Sequence, residues 1–124
     1  MAVKKILFVE DSKVIQQTFR LFLIKNGYEV SIANNGMHGL SLFENEDFDL
    51  VITDLIMPIM DGFELSMLLK SNFNIPVIVL TGSNDPKTVT EIINIGVDDF
   101  IVKGETQSMK KLLDKIKKNL KEKK

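Results

Sequence analysis

Apolar residues along the 124-residue chain gather into five short runs, beginning near Lys4 (KILFV), Tyr28 (YEVSIA), Asp49 (DLVIT), Ile75 (IPVIVL) and Asp99 (DFIV), at intervals of 21 to 26 residues. Each has the length and composition of a strand. The segments between them repeat apolar residues at helical spacing instead: Val14, Ile15, Thr18 and Phe22, then Met37, Leu40 and Phe43, then Phe63, Leu65, Leu68 and Leu69. Val89, Ile92 and Ile93 mark a fourth helix, and Met109, Leu112, Leu113, Ile116 and Leu120 a fifth, lysine-rich one over about 106–121. Helix punctuation agrees. Ser12, Asn34 or Asn35, Asp61, Asn84 or Asp85 (with Pro86 behind it) and Thr106 stand at N-cap positions, and Gly27 and Gly96 follow helix ends.

The alternation is (βα)₅, with connections long enough for crossover helices, so a five-stranded parallel sheet with helices on both faces is expected. ILFV, LVI and VIVL are continuously apolar, as strands buried on both faces are, whereas YEVSIA alternates like an edge strand. With right-handed crossovers this predicts a doubly wound, flavodoxin-like order 2-1-3-4-5. Its topological switch point lies between strands one and three, where such sheets bind ligands beyond the carboxyl ends of the strands.

The length suits one domain, 1–124. The absence of cysteine excludes disulfides and thiolate metal sites. Only Ile6 to Val9 separate the first lysines from Glu10, too short for the apolar part of a signal peptide, and the run Phe19 to Ile24 is broken by Arg20 and far below spanning length. No membrane insertion is expected, and a cytoplasmic location is the default. Charge is uneven: residues 1–102 hold 7 Lys and Arg against 14 Asp and Glu, while 103–124 hold 9 Lys against 3 acids. No aromatic residues interleave those lysines, so they are read as the solvated face of a terminal helix rather than a nucleic-acid contact.

The chemistry gathers at the strand ends: Glu10 and Asp11 after the first, Asp54 after the third, Thr81 after the fourth and Lys103 after the fifth. Individually each has an ordinary role: helix-entry acids, a strand terminator, a turn hydroxyl and a surface lysine. Together they converge on one crevice. Like charges about 4 Å apart repel by about 4 kcal/mol at an effective dielectric near 20, so three carboxylates there call for a cation. A hard, oxygen-only set with few side chains favours Mg²⁺. EDSKV puts acids where a dinucleotide or flavin site would put glycines or hydroxyls. Acids, Mg²⁺, lysine and a hydroxyl suit phosphoryl transfer, with an Asp able to act as the nucleophile.

Over essentially its whole length the chain resembles the receiver domain of two-component response regulators, of the single-domain chemotaxis-like or phosphorelay type. The resemblance rests on FVEDS, VITDLIMPIMDG, VIVLTG and DDFIVKG at these spacings. It implies that Asp54 is phosphorylated by a partner histidine kinase or phosphotransfer protein. Glu10, Asp11, Asp54 and the backbone carbonyl of Ile56 would bind Mg²⁺, Lys103 would hold a phosphoryl oxygen, and Thr81 and Phe100 would be the switch pair. The output would pass by protein contact through the fourth helix, fifth strand and fifth helix, from a monomer or, once phosphorylated, a dimer. The domain would not be an enzyme, although it would assist its own phosphotransfer and dephosphorylation. Two other readings remain open: a degenerate receiver used as an interaction module, and an Mg²⁺-dependent aspartyl-phosphate phosphohydrolase, which would carry a D-x-D spacing that EDS lacks.

Two departures from the family pattern carry expectations. Gly104 replaces the usual proline after Lys103, so a trans Lys103–Gly104 bond is expected, since cis costs about 2.5 to 4 kcal/mol without proline. In the family, the residues two beyond the acceptor and two beyond the hydroxyl tune attack by water. Here they are Ile56 and Ser83, and an isoleucine that cannot bind water implies slow self-hydrolysis. His38, the sole histidine, lies away from the strand ends and is read as a helix residue, not a phosphohistidine. Met57, Met60 and Met67 are read as flexible packing.

Overall fold

A computed structural model of the chain describes residues 3–105 and 107–120. Five strands and five helices alternate: β1 Lys5–Val9, α1 Lys13–Lys25, β2 Glu29–Ala33, α2 Gly36–Asn45, β3 Leu50–Asp54, α3 Gly62–Asn72, β4 Val77–Thr81, α4 Pro86–Ile95, β5 Asp99–Val102 and α5 Ser108–Asn119. The sheet is parallel throughout, in the order β2-β1-β3-β4-β5, as the strand patterns predict. β1 pairs with both β2 and β3, so the chain reverses its direction of winding across β1.

The period of two along each strand divides the core between two layers. Ile6 and Phe8 of β1, Leu50 and Ile52 of β3, and Ile78 and Leu80 of β4 pack under α1 and α5, meeting Phe19, Leu23, Leu112 and Ile116. Leu7, Val9, Val51, Val77 and Val79 face the other way, toward α2, α3 and α4. β3 and β4 are buried along their whole length, which explains their unbroken apolar sequences.

Side chains of Ser12, Asn35, Asp61 and Asp85 accept the expected backbone N–H groups at the starts of α1 to α4. The cap assigned to Thr106 lies outside the described residues. Gln107 precedes α5 instead, with positive φ and no side-chain cap. Among the described residues no peptide bond is cis, so Lys103–Gly104 is trans, and Gly104 turns the chain with φ 81°.

Three apolar residues that the sequence assigns to packing stand on the surface instead: Val14, Met37 and Met67. On α1 the buried residues are Gln16, Phe19 and Leu23, while Val14 is 76% exposed. Ile15 and Phe22 pack partly buried beside them, so Gln16 joins the expected face, and Val14 and Thr18 are exposed. On α2 Met37 is exposed, Leu40 and Phe43 pack partly buried against the core, and Gly36 and Gly39 allow the closest approaches. Met57 and Met60 are core residues, whereas Met67 is on the surface. No described helix is long and apolar enough to cross a membrane.

Candidate functional site

Asp54 is the last residue of β3 and Thr81 the last of β4, so each ends its strand rather than following it. Glu10 and Asp11 follow β1, and Lys103 follows β5. The register brings these ends together: Val9 is opposite Thr53, Asp54 opposite Leu80, and Thr81 opposite Val102. A backbone bond from Lys103 N to Thr81 O (2.7 Å) carries the register one residue further.

Glu10, Asp11 and Asp54 each present one carboxylate oxygen within 4.8 Å of the others. Glu10 is 1% exposed and Asp54 6%, while Asp11 opens to solvent. Asp54 Oδ1 accepts from the Leu55 N–H at 3.0 Å and lies 3.0 Å from Lys103 Nζ. Glu10 Oε2 accepts from the Ser12 N–H at 3.0 Å, while its Oε1 is buried with no hydrogen-bond partner, and Lys103 Nζ is 3.7 Å from it.

Burial pushes the Asp54 carboxyl above the usual carboxylate range and outweighs Lys103, whose hydrogen bond and charge act against it. Burial likewise raises Glu10, opposed by the Ser12 N–H and reinforced by the charge of Asp54. One ammonium therefore does not compensate two buried carboxylates. An unpartnered, buried Glu10 oxygen beside two further carboxylates is a donor set that a small, hard divalent cation fits.

The loop from Leu55 to Asp61 leads from the acceptor strand into α3, and its path is tightly specified. Gly62 N bonds Leu55 O at 2.7 Å and Gly36 N bonds Met60 O at 2.9 Å, while Met57 and Met60 are buried beneath. A methyl group on Gly62 would overlap the Asp54 carbonyl oxygen, so only glycine lets α3 start this close to the strand. The side chains of Ile56 and Ile59 stand outward. Ile59 takes φ 73°, a left-handed conformation that β-branched residues rarely adopt.

Thr81 makes its side-chain hydrogen bonds within the turn that follows β4. Its hydroxyl donates to Ser83 O and accepts from Ser83 N, both at 3.1 Å. A cleft of about 470 Å³ opens beside it, lined in part by Ile56, Phe63, Thr81 and Ser83. Phe100 is half-buried, with Lys115 Nζ 5.9 Å from its ring centre. His38 is exposed at the start of α2, where its Nδ1 accepts from the Asn34 N–H at 3.1 Å.

The sequence reading passed over Gln16, which is buried on α1 and hydrogen-bonded to the Glu10 carbonyl. Its signal is a polar residue at i, i+3, i+7 spacing with Phe19 and Leu23. The close approach of Gly62 to Asp54 leaves no mark in a single sequence.

Residues 6–117 match the response regulator receiver domain family. The chain is 38% identical over 104 residues to the CAI-1 autoinducer sensor kinase/phosphatase CqsS of Vibrio cholerae, a match covering 81% of this chain and 15% of that protein. It is 34% identical to the transcriptional regulatory protein AfsQ1 of Streptomyces coelicolor, over 79% of this chain and 44% of that one. It thus spans less than half the length of these curated relatives. Among solved structures, a CheY-like receiver domain protein of Methanospirillum hungatei superposes with a TM-score of 0.87 at 34% identity, covering 97% of this chain and 95% of that one. The chemotaxis response regulator CheY4 of Vibrio cholerae gives 0.84 at 29%, covering 93% and 99%. The chain belongs to the response regulator receiver domain family of two-component systems, whose members are signalling switches rather than enzymes in the ordinary sense and generally bind Mg²⁺ at an acidic cluster.

Proposed function

We propose that this domain is a phosphorylation-driven switch whose acceptor is Asp54. The observation that carries the reading is the buried Asp54 carboxylate held 3.0 Å from Lys103 Nζ, with Glu10 and Asp11 beside it. In the transfer step an Asp54 carboxylate oxygen attacks the phosphorus of a kinase or phosphotransfer protein's phosphohistidine. A P–O bond forms, the P–N bond breaks, and the imidazole leaves with the electron pair and takes up a proton. Lys103 neutralises charge on a phosphoryl oxygen. Glu10, Asp11, Asp54 and the Ile56 carbonyl would hold Mg²⁺, which when bound offsets the charge of the carboxylates and the phosphoryl group.

The Thr81 hydroxyl must leave Ser83 to reach the phosphoryl group, so its two bonds to the Ser83 backbone favour the resting arrangement. The half-buried Phe100 follows the space that Thr81 vacates, changing the surface of α4, β5 and α5 that a downstream protein reads. The domain acts in the cytoplasm, with a sensor kinase or phosphotransfer protein upstream and no direct nucleic-acid contact, as a monomer or a dimer once phosphorylated.

The deciding experiment is incubation with acetyl phosphate, or with beryllofluoride, and Mg²⁺, with Asp54→Asn as control. One phosphoryl group per chain, absent from the variant, supports the switch. Repeated turnover would mark a phosphohydrolase, and no modification an interaction module.

A further inference from the structure

Gln16 is 2% exposed and sits in phase with Phe19 and Leu23, where an apolar residue would fill the space without a polar group to satisfy. Its amide nitrogen donates to the Glu10 carbonyl oxygen at 2.5 Å and to Asn34 Oδ1 at 2.9 Å, so both amide hydrogens are in use. That Asn34 oxygen also accepts from Lys13 Nζ at 3.2 Å, and the Asn34 N–H is held by His38 Nδ1. Glu10 is thereby fixed from two sides: its N–H donates to Ala33 O at 3.0 Å on β2, and its carbonyl is gripped from α1.

The carbonyl of Glu10 belongs to the peptide plane that joins Glu10 to Asp11. A bond to that oxygen sets the rotation of the plane. It therefore sets how the two neighbouring carboxylates are directed relative to each other and to Asp54. Apolar packing at this position would constrain no such rotation.

We propose that Gln16 is a positioning residue for the divalent-cation site, aligning Glu10 and Asp11 through their shared peptide plane and anchored in turn by Asn34. The proposal rests on the switch reading above and adds a residue that does not touch the cation.

The test is Mg²⁺ binding by titration calorimetry to the whole chain as wild type, Gln16→Met and Asn34→Ala, with thermal unfolding of each in chelator. Outer-shell groups are worth about 10- to 100-fold in metal affinity, so Q16M is expected to weaken Mg²⁺ binding by about 10-fold or more. N34A leaves the bond to Glu10 but removes its anchor, and a loss of about 3-fold is expected, in keeping with a hydrogen bond of ordinary strength. Asn34 is on the surface, so N34A decides the matter if Q16M does not fold. At saturating Mg²⁺, modification of Q16M by acetyl phosphate should return to the wild-type rate. Unchanged affinity in Q16M, or in N34A should Q16M not fold, overturns the proposal. A Q16M rate that stays low at saturating Mg²⁺ overturns it as well. Wild type that binds Mg²⁺ and is modified at Asp54 keeps the switch reading intact in either case, whereas wild type that binds no Mg²⁺ removes both.

Discussion

Lys103 Nζ lies 3.0 Å from Asp54 Oδ1 and is the cation that the resting site offers to two buried carboxylates. Because burial still wins at Asp54, removing its charge relieves more than the lost ion pair costs. Asp54→Asn is expected to stabilise the Mg²⁺-free protein by about 1 to 2 kcal/mol. Lys103→Met should do the opposite, by about 2 to 3 kcal/mol, below the cost of breaking a fully buried pair because the Lys103 side chain is 21% exposed. Urea unfolding in chelator checks both signs.

Gly62→Ala forces a methyl group against the Asp54 carbonyl, and neither a strand end nor the first turn of α3 yields easily. A loss of about 3 kcal/mol is expected, measured as a lower urea midpoint at constant slope.

Ile59 is 79% exposed, so its side chain contributes little packing to set against its left-handed backbone. Replacing it with glycine removes a conformational cost of about 1 to 2 kcal/mol and adds back a smaller entropic one. Ile59→Gly should raise stability by about 1 kcal/mol. A lower melting temperature would contradict this.

Asp99 joins the start of β5 to the end of α5, accepting from Lys115 at 2.7 Å, Asn119 at 3.2 Å and Lys118 at 3.4 Å. Burial alone would raise its carboxyl, but these donors outweigh burial and hold it below its ordinary value of 3.8. The stabilisation is therefore complete above that ordinary value and is lost as pH falls through the depressed one. Asp99→Asn should cost about 1 to 2 kcal/mol at neutral pH and progressively less as pH falls below the ordinary carboxylate value. Parallel unfolding curves across that pH range decide it.

Ile56 stands exposed at the mouth of the cleft and offers its side chain to no water by hydrogen bonding. One ordinary hydrogen bond, about 1 kcal/mol, corresponds to about fivefold in rate. Ile56→Asn should shorten the life of phosphorylated Asp54 by about that factor, followed by loss of the phosphoryl signal after acetyl phosphate is removed. A lifetime unchanged or longer would sink the idea.

The sequence alone determined the alternation of strands and helices, the strand order and the set of strand ends that meet. These follow from local periodicity, and from a crossover rule that leaves a sheet little choice once its edge strand is known. The motifs around Glu10, Asp11, Asp54, Thr81 and Lys103 were legible for the same reason, since strands in a parallel sheet deliver their carboxyl ends to one edge. Tertiary structure alone decided that Gln16 joins the buried face of α1, because a glutamine is accepted there only when its amide bonds the Glu10 carbonyl. It alone decided that Thr81 rests on Ser83, a choice between two nearby hydrogen-bond partners that no spacing encodes. The same holds for Gly62 against Asp54 and for Lys103 between Asp54 and Glu10. Such contacts depend on distances of a few ångströms between elements far apart in the chain, and those distances exist only once the sheet is assembled.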